Sequence, residues 1–209
     1  EKADIELVNN FLPGNFLSGK ATGKMKVSGN TNKPSAIAEL FCEDISISDF
    51  QLESIELNSK ITVNDSIPYG FVDIKAGQGK WRNMNFESGT VSATLDNNSF
   101  VIENCHFKSK NDFLQLSGSY DGIKNYKVER MQLAYKDNYL INTRPVNFSI
   151  EDSLFQIKPF EFHINDGMME GVITGNDHMK GQFKMSNFDS EILTQFFEDK
   201  RLKISGISH

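Results

Sequence analysis

"SIELNSKITVND", Ser54 to Asp65, alternates almost without fault. Ile55, Leu57, Ile61 and Val63 fall on one side of an extended chain, and Glu56, Asn58, Lys60 and Thr62 on the other. A helix would need its apolar residues three and four apart, and these recur every two. The stretch predicts a strand with one apolar face and one wet face.

The same period runs outward in both directions. Upstream, "KATGKMKVSG" sets Ala21, Gly23, Met25 and Val27 against Thr22, Lys24, Lys26 and Ser28. Downstream, Val91, Ala93 and Leu95 alternate in "GTVSATLDN", and Leu114 and Leu116 in "FLQLSGSY". Met131, Leu133 and Tyr135 do so in "MQLAYKD", then Phe160, Phe162 and Ile164 in "KPFEFHIND", then Phe183 and Met185 in "GQFKMSN". Between these runs stand "SGNTNKP", "NDSIPYG", "LDNNS", "YDG", "NDG" and "TGNDH". Asn, Asp and Gly tolerate the left-handed backbone that tight hairpins require. Turn signals spaced roughly 8–12 residues apart predict an all-β antiparallel chain. About a dozen strands of this kind make a sandwich, a barrel or one long curved sheet.

Two phrases break the period. "DIELVNNFL", Asp4 to Leu12, places Ile5, Leu7, Val8, Phe11 and Leu12 at helical spacing. "DSEILTQFF", Asp189 to Phe197, does the same with Ile192, Leu193, Phe196 and Phe197. Asp4 and Asp189 stand where an N-cap acceptor belongs, and Glu6 and Glu191 suit the positive end of a helix dipole. Each phrase predicts a short amphipathic helix that needs an apolar surface to lie on. The phrases also echo each other: 185 residues separate Asp4 from Asp189, and 187 separate Ser18 from Ser205 in the following "SG" pairs. Recurrence in fixed order marks a repeat protein. The chain, residues 1–209, reads as a single unit of about one such period, with the next beginning at 187–209, cut from a longer protein.

Composition narrows the function classes. Of 209 residues, 24% are charged and 38% hydrophobic, which is folded-protein usage rather than disorder. The formal net charge of -6, with no basic run, argues against a nucleic-acid partner. No apolar run is long enough to span a bilayer as a helix. Phe is abundant at 17 against one Trp and 5 Tyr, so much wholly apolar surface must be placed. The first residue is Glu1, and no signal-peptide pattern follows it. Cys42 and Cys105 form no C-x-x-C motif and stand at no zinc spacing with His. They read as two separate buried thiols, with a single disulfide as the alternative in an oxidising compartment.

On these residues the chain resembles the AsmA-like and TamB-like envelope proteins of diderm bacteria. The resemblance rests on the short helix phrase Asp4 to Leu12, "LSG" at Leu17 to Gly19, "GKMKVSG" at Gly23 to Gly29, and Pro34. Long alternating strands then end in "LQLSG", Leu114 to Gly118, and the opening phrase returns in "FKMSNFDSEILTQFF", Phe183 to Phe197. The resemblance implies an elongated, taco-shaped antiparallel sheet that curls lengthwise without closing, its concave side an apolar groove for acyl chains. It implies a parent anchored in the inner membrane and spanning the periplasm, with a part in phospholipid transport to the outer membrane and in outer-membrane assembly. The implied partners are phospholipid or another acyl-chain lipid, neighbouring repeats of the same parent, and an outer-membrane assembly protein.

The candidate groove residues are the alternating apolar ones: Met25, Val27, Ile55, Leu57, Ile61, Val63, Val91, Ala93, Leu95, Leu114, Leu116, Met131, Leu133, Phe160, Phe162, Ile164, Phe183 and Met185. Each has an ordinary structural reading as core.

Signals for chemistry are weak. His106, His163, His178 and His209 have no second His or Cys at ligand spacing, and His163 reads as a solvated strand residue opposite Phe160 and Phe162. Glu43–Asp44 and Glu151–Asp152 are adjacent in strands and so point to opposite faces, unlike a catalytic carboxylate pair. "NDGMMEG", Asn165 to Gly171, lacks the alternating acids of a calcium loop and reads as a turn. "GQGKW", Gly77 to Trp81, reads as a strand bend or bulge rather than a phosphate loop. The expectation is no enzyme, no cofactor and no metal. Two rivals stand beside the lipid groove. One is a structural or adhesive β-repeat or passenger fragment with a filled core and no ligand; the other is a glycan-binding sandwich, which a single Trp81 disfavours.

Overall fold

The structure, a computed structural model, describes residues 3–4, 17–47, 50–81, 84–151, 154–176 and 179–187. All regular structure in these residues is strand. The strands are β1 (Ala3–Asp4), β2 (Leu17–Asn30), β3 (Lys33–Ile47), β4 (Phe50–Asn64), β5 (Ile67–Ala76), β6 (Gly79–Trp81), β7 (Met84–Phe86) and β8 (Ser88–Asp96). They continue as β9 (Ser99–Lys108), β10 (Phe113–Tyr120), β11 (Asn125–Tyr135), β12 (Asn138–Asn142), β13 (Val146–Glu151), β14 (Leu154–Ile164), β15 (Gly167–Gly175) and β16 (Met179–Ser186).

All sixteen belong to one antiparallel sheet laid out almost in chain order. Among the described residues β1 pairs only with β2, and β16 only with β15, so the sheet has two ends. Sixteen exceeds the dozen expected from the turn signals, and the surplus has a local cause. β6 continues the line of β5 beside β4 after the bend at Gly77–Gln78, and β7 runs into β8 across Glu87. β12 and β13 both lie between β11 and β14, split at Thr143–Pro145. The remaining strand is the two-residue β1.

Tight turns follow the polar punctuation. Asp65–Ser66, Asn97–Asn98 and Lys136–Asp137 each put two successive residues at positive φ between paired strands. That is the mirror-image turn whose twist matches the strands it joins. Asn165 is also left-handed, and "NDG" is a turn as expected.

The predicted helices fare differently. Asp4 is no N-cap: it lies in β1, opposite Lys20, with Ala3 opposite Ala21. The rest of that phrase, 5–12, and the whole of 189–197 lie outside the described residues.

Two places depend on unusual backbone. Gly70 in β5 lies so close to β4 that an added Cβ would stand 2.0 Å from the Lys60 carbonyl oxygen. The obstacle is backbone, so no rotamer change relieves it. Gly70→Ala is expected to lower stability by roughly 2–4 kcal/mol, read as a lower urea midpoint at unchanged slope. The second place is the split between β12 and β13. There Asn142, the one buried polar side chain among the described residues, replaces the missing strand partners of β11. Its Oδ1 accepts from the Met131 amide, and its Nδ2 donates to the Glu129 and Arg144 carbonyls at 3.1 and 2.9 Å.

Candidate functional site

Strand register decides which side chains share a face, since directly opposed residues point the same way. The register aligns the apolar residues in rows that cross the sheet. One row reads Ala21, Cys42, Ile55, Ala76, Gly89, Phe107, Leu114, Leu133, Leu140 and Ile164. Two residues further along the strands a second row reads Gly23, Leu40, Leu57, Ile74, Val91, Cys105, Leu116 and Met131. It resumes beyond Asn142 with Phe162, Met169 and Met185. A third contains Met25, Ala38, Ser59, Val72, Ala93, Ile102, Gly118 and Val128, and on the far strands Phe160, Gly171 and Phe183. The fourth carries Val27, Ala36, Ile61, Gly70, Leu95, Phe100, Tyr120, Tyr126, Phe148, Ile157 and Ile173. Val63, opposite Pro68, lies beyond it.

All the groove candidates read from the sequence therefore fall on one face. The reading missed Leu40, Ile74, Cys105, Phe107, Val128, Phe148 and Met169, which lie among them. In β9 and β11 the register shifts at a bulge, between Ser92 and Ala93 of the partner strand and between Ser117 and Gly118. Apolar residues on either side of a bulge are out of phase in the sequence and in phase in the sheet.

The opposite face is polar. Lys24, Glu39, Asn58, Asp73 and Ser92 form one of its rows. Thr22, Phe41, Glu56, Lys75, Thr90, His106 and Gln115 form the next. Its ion pairs are exposed, as in Lys75–Glu56 at 3.8 Å and Lys184–Glu170 at 3.2 Å, so each contributes at most about 1 kcal/mol. His163 stands on this face, half exposed, opposite Ile141 and Met168. Two hollows of about 650 and 620 Å³ are lined by polar-face residues together with residues of the apolar rows and core. Asp44, Gln51, Glu53 and Lys80 line the first, and Glu39, Glu56, Asp73 and Lys75 the second. Among the described residues no cluster of three or more His, Cys, Asp or Glu is placed to hold a metal ion.

Burial on the apolar face varies along the strands, with Ala93, Val146 and Phe160 of the third row also buried. At the end where β11 turns into β12 and β14 into β15, Ala21, Cys42, Ala76, Leu140 and Ile164 are buried. Phe50, Phe86 and Phe107 fill space there, with ring centroids 6.4 Å apart for Phe50–Phe107 and 5.0 Å for Phe86–Phe107. At the other end Met25 and Val27 are each 68% exposed, and Phe100 is exposed too. In between, Leu57, Ile74, Val91, Leu114 and Leu116 are half-buried. Tyr120, Tyr126 and Phe148 stack across three strands at 4.5 and 4.8 Å, the latter pair within 3° of parallel.

The cysteines are both free. Cys42 is buried in β3 and Cys105 half-buried in β9, four strand steps away along the sheet, which rules out the disulfide alternative. Burial pushes both thiols above the ordinary cysteine range, so they stay protonated and are poor nucleophiles.

The β10–β11 loop stands beside the β8–β9 turn, with Gly122 against Asn98. Asp121 accepts from the Ile123, Lys124 and Asn125 amides and from the Asn125 side chain. The Tyr120 hydroxyl donates to the Ile123 carbonyl at 3.0 Å, and the loop presents Ile123 at 79% exposure. Hydrogen bonds to Asn125, side chain and backbone, lead in holding the Asp121 carboxyl far below the usual carboxylate range. A depressed folded pKa gives stability that is present above the unfolded value, about 4, and lost as pH falls through the folded one. Acid titration followed by amide exchange is therefore expected to show protection of Ile123–Asn125 declining progressively as pH falls below about 4, ahead of the strands. In Asp121→Ala the loop would be deprotected already at pH 7.

Comparison with protein-family models, with curated proteins and with solved structures finds no match to this chain.

Proposed function

We propose that the chain is a segment of a periplasmic, AsmA/TamB-like protein that shelters lipid acyl chains along its apolar face. The observation that carries this reading is the four-row apolar face, which continues across the sheet from β2 to β16. The described strands form one hydrogen-bonded sheet, with no second sheet among the described residues. Exposed apolar patches rarely exceed a few hundred Å² without a partner. Each methylene placed on such a face contributes about 0.8 kcal/mol, so part of one acyl chain supplies several kcal/mol without any directed polar contact. On this reading the sheet curls lengthwise around the chain it carries. The parent is anchored in the inner membrane and hands lipid towards the outer membrane, unit to neighbouring unit. The reading involves no catalysis.

One observation favours a second reading, a purely structural repeat. Phe50, Phe86 and Phe107 already fill one end of the face with the chain's own rings. Native mass spectrometry of the protein from a bacterial host, with lipid extraction, separates the two. Bound phospholipid supports the groove; a lipid-free mass in mild detergent-free buffer supports the structural repeat.

A further inference from the structure

The four apolar rows are not uniform across the sheet. Every aromatic residue in them stands on β9 or a later strand, from Phe100 and Phe107 in β9 to Phe183 in β16. On β2, β3, β4, β5 and β8 the same rows carry no ring. Small residues recur there instead: Gly23, Ala36, Ala38, Ser59 and Gly70 stand between the aliphatic side chains of rows two to four. A small side chain leaves room above the backbone and a ring fills it. Side-chain relief is therefore low over β2–β8 and high from β9 on.

The two halves also differ in what their side chains already touch. From β9 on, rings meet rings: Tyr126 stacks on Tyr120 and on Phe148, and Phe160 lies 5.4 Å from Phe162 and 6.2 Å from Phe183. In the first half Leu57, Ile74 and Val91 of row two stay half-buried and meet no ring across the strands. No Asp, Glu, Lys, Arg or His stands in the four rows among the described residues. A ligand on them is held by its hydrocarbon, and any charged group it has must lie outside the rows. Size fits one such ligand. β2 to β8 is four strand spacings, about 19 Å. One leaflet of a bilayer's hydrocarbon is about 15 Å thick, so a single acyl chain fits across these strands at full length.

We infer that one acyl chain lies across β2–β5 and β8, over rows two to four, while the ring-bearing half from β9 on is packed by its own side chains and takes none. The inference rests on the lipid reading above and narrows it to one half of the face.

The probe is palmitic acid carrying a photoreactive diazirine, added to the whole chain and located by peptide mass spectrometry. The expected result is saturable labelling of residues 23–40, 55–74 and 91–95. Ala38→Phe sets a ring in row three of the first half, at a half-buried position between Met25 and Ser59. It should cut the labelling about tenfold at unchanged circular dichroism and melting, because the ring displaces several methylene contacts. If Ala38→Phe melts early, Ala36→Phe in row four is read in its place. Phe183→Ala removes a half-exposed ring from the other half and should leave the labelling as it is. Three outcomes overturn the inference and leave the lipid reading standing: labelling centred on residues 100–185, labelling that survives the added ring in folded protein, or labelling lost in Phe183→Ala. No saturable labelling anywhere overturns both.

Discussion

Leu57→Asp is expected to strip the protein of co-purifying phospholipid while shifting its melting temperature by no more than about 5 °C. Leu57 lies in the middle strands of the second apolar row, between Leu40 and Ile74, and is only half-buried. A carboxylate there keeps part of its water, so the cost to folding is modest, about 1–2 kcal/mol. For an acyl chain crossing that row the same carboxylate is an obstacle. It must be desolvated by a ligand that offers it no hydrogen bond, and the neighbouring methylene contacts are lost as well. Position in the face decides which variant tests the groove. Ala93, at 5% exposure, and Ile164, at 1%, are poor sites for the same substitution. Ile164→Asp would bury an unpaired charge among Met131, Leu133, Phe162 and Met169, and should unfold the chain outright. The measurement is extracted lipid per protein beside the thermal melt. Lipid retained at wild-type level by a folded Leu57→Asp protein would sink the groove reading. Lipid lost only when the protein unfolds would make the face ordinary core.

What the sequence made legible, and what it hid, both follow from how a period-two code is read. In β4 the alternation from Ile55 to Val63 is continuous because the pairing with β3 and β5 is regular through that stretch. In β9, Phe100 and Ile102 are out of phase with Cys105 and Phe107, and only the bulge between them returns all four to one face. Phase-shifted strands look irregular to any reading that assumes a constant register. β3 offers no clean alternation to read: Ile37 and Phe41 are exposed on the polar face. A sheet with water on one side tolerates such residues singly. The strand count ran high for an equally local reason, because Pro145 has no amide to donate and the long strand breaks beside it. Which face is apolar was readable residue by residue. That the rows join across the whole sheet was not, since register is a property of pairs.

That break sets up the second large effect. Asn142→Ala is expected to destabilise the protein by about 3 kcal/mol and lower the urea midpoint by about 1 M or more. The Met131 amide donates to this side chain, and the Glu129 and Arg144 carbonyls accept from it. Asn142 is 6% exposed, so water has little room to replace it. Each buried polar group left without a partner costs about 1–3 kcal/mol, and some relaxation of the strand ends offsets part of the sum. Asn142→Asp should be at least as damaging: it keeps an acceptor for Met131 but turns a second oxygen towards two carbonyls. Thr143→Ala is the contrast, since Thr143 bonds Glu161 on the exposed polar face and its loss should cost no more than about 0.5 kcal/mol. The location of the damage matters as much as its size. Among the described residues β11 pairs with the later strands only through β12 and β13, so a loosened junction weakens the link between β1–β11 and β12–β16. Exchange protection of Met131 should fall first, followed by β12 and β13, with β3 to β5 unaffected until global unfolding. A uniform loss of protection across all strands, or a midpoint within about 0.3 M of wild type, would mean that the junction does not depend on Asn142. The halves of this chain-ordered meander meet through the short ladders of β12 and β13 and a few side-chain contacts such as Phe113 against Tyr139, so one amide side chain at a proline-broken strand is positioned to strengthen the joint at which the apolar face continues.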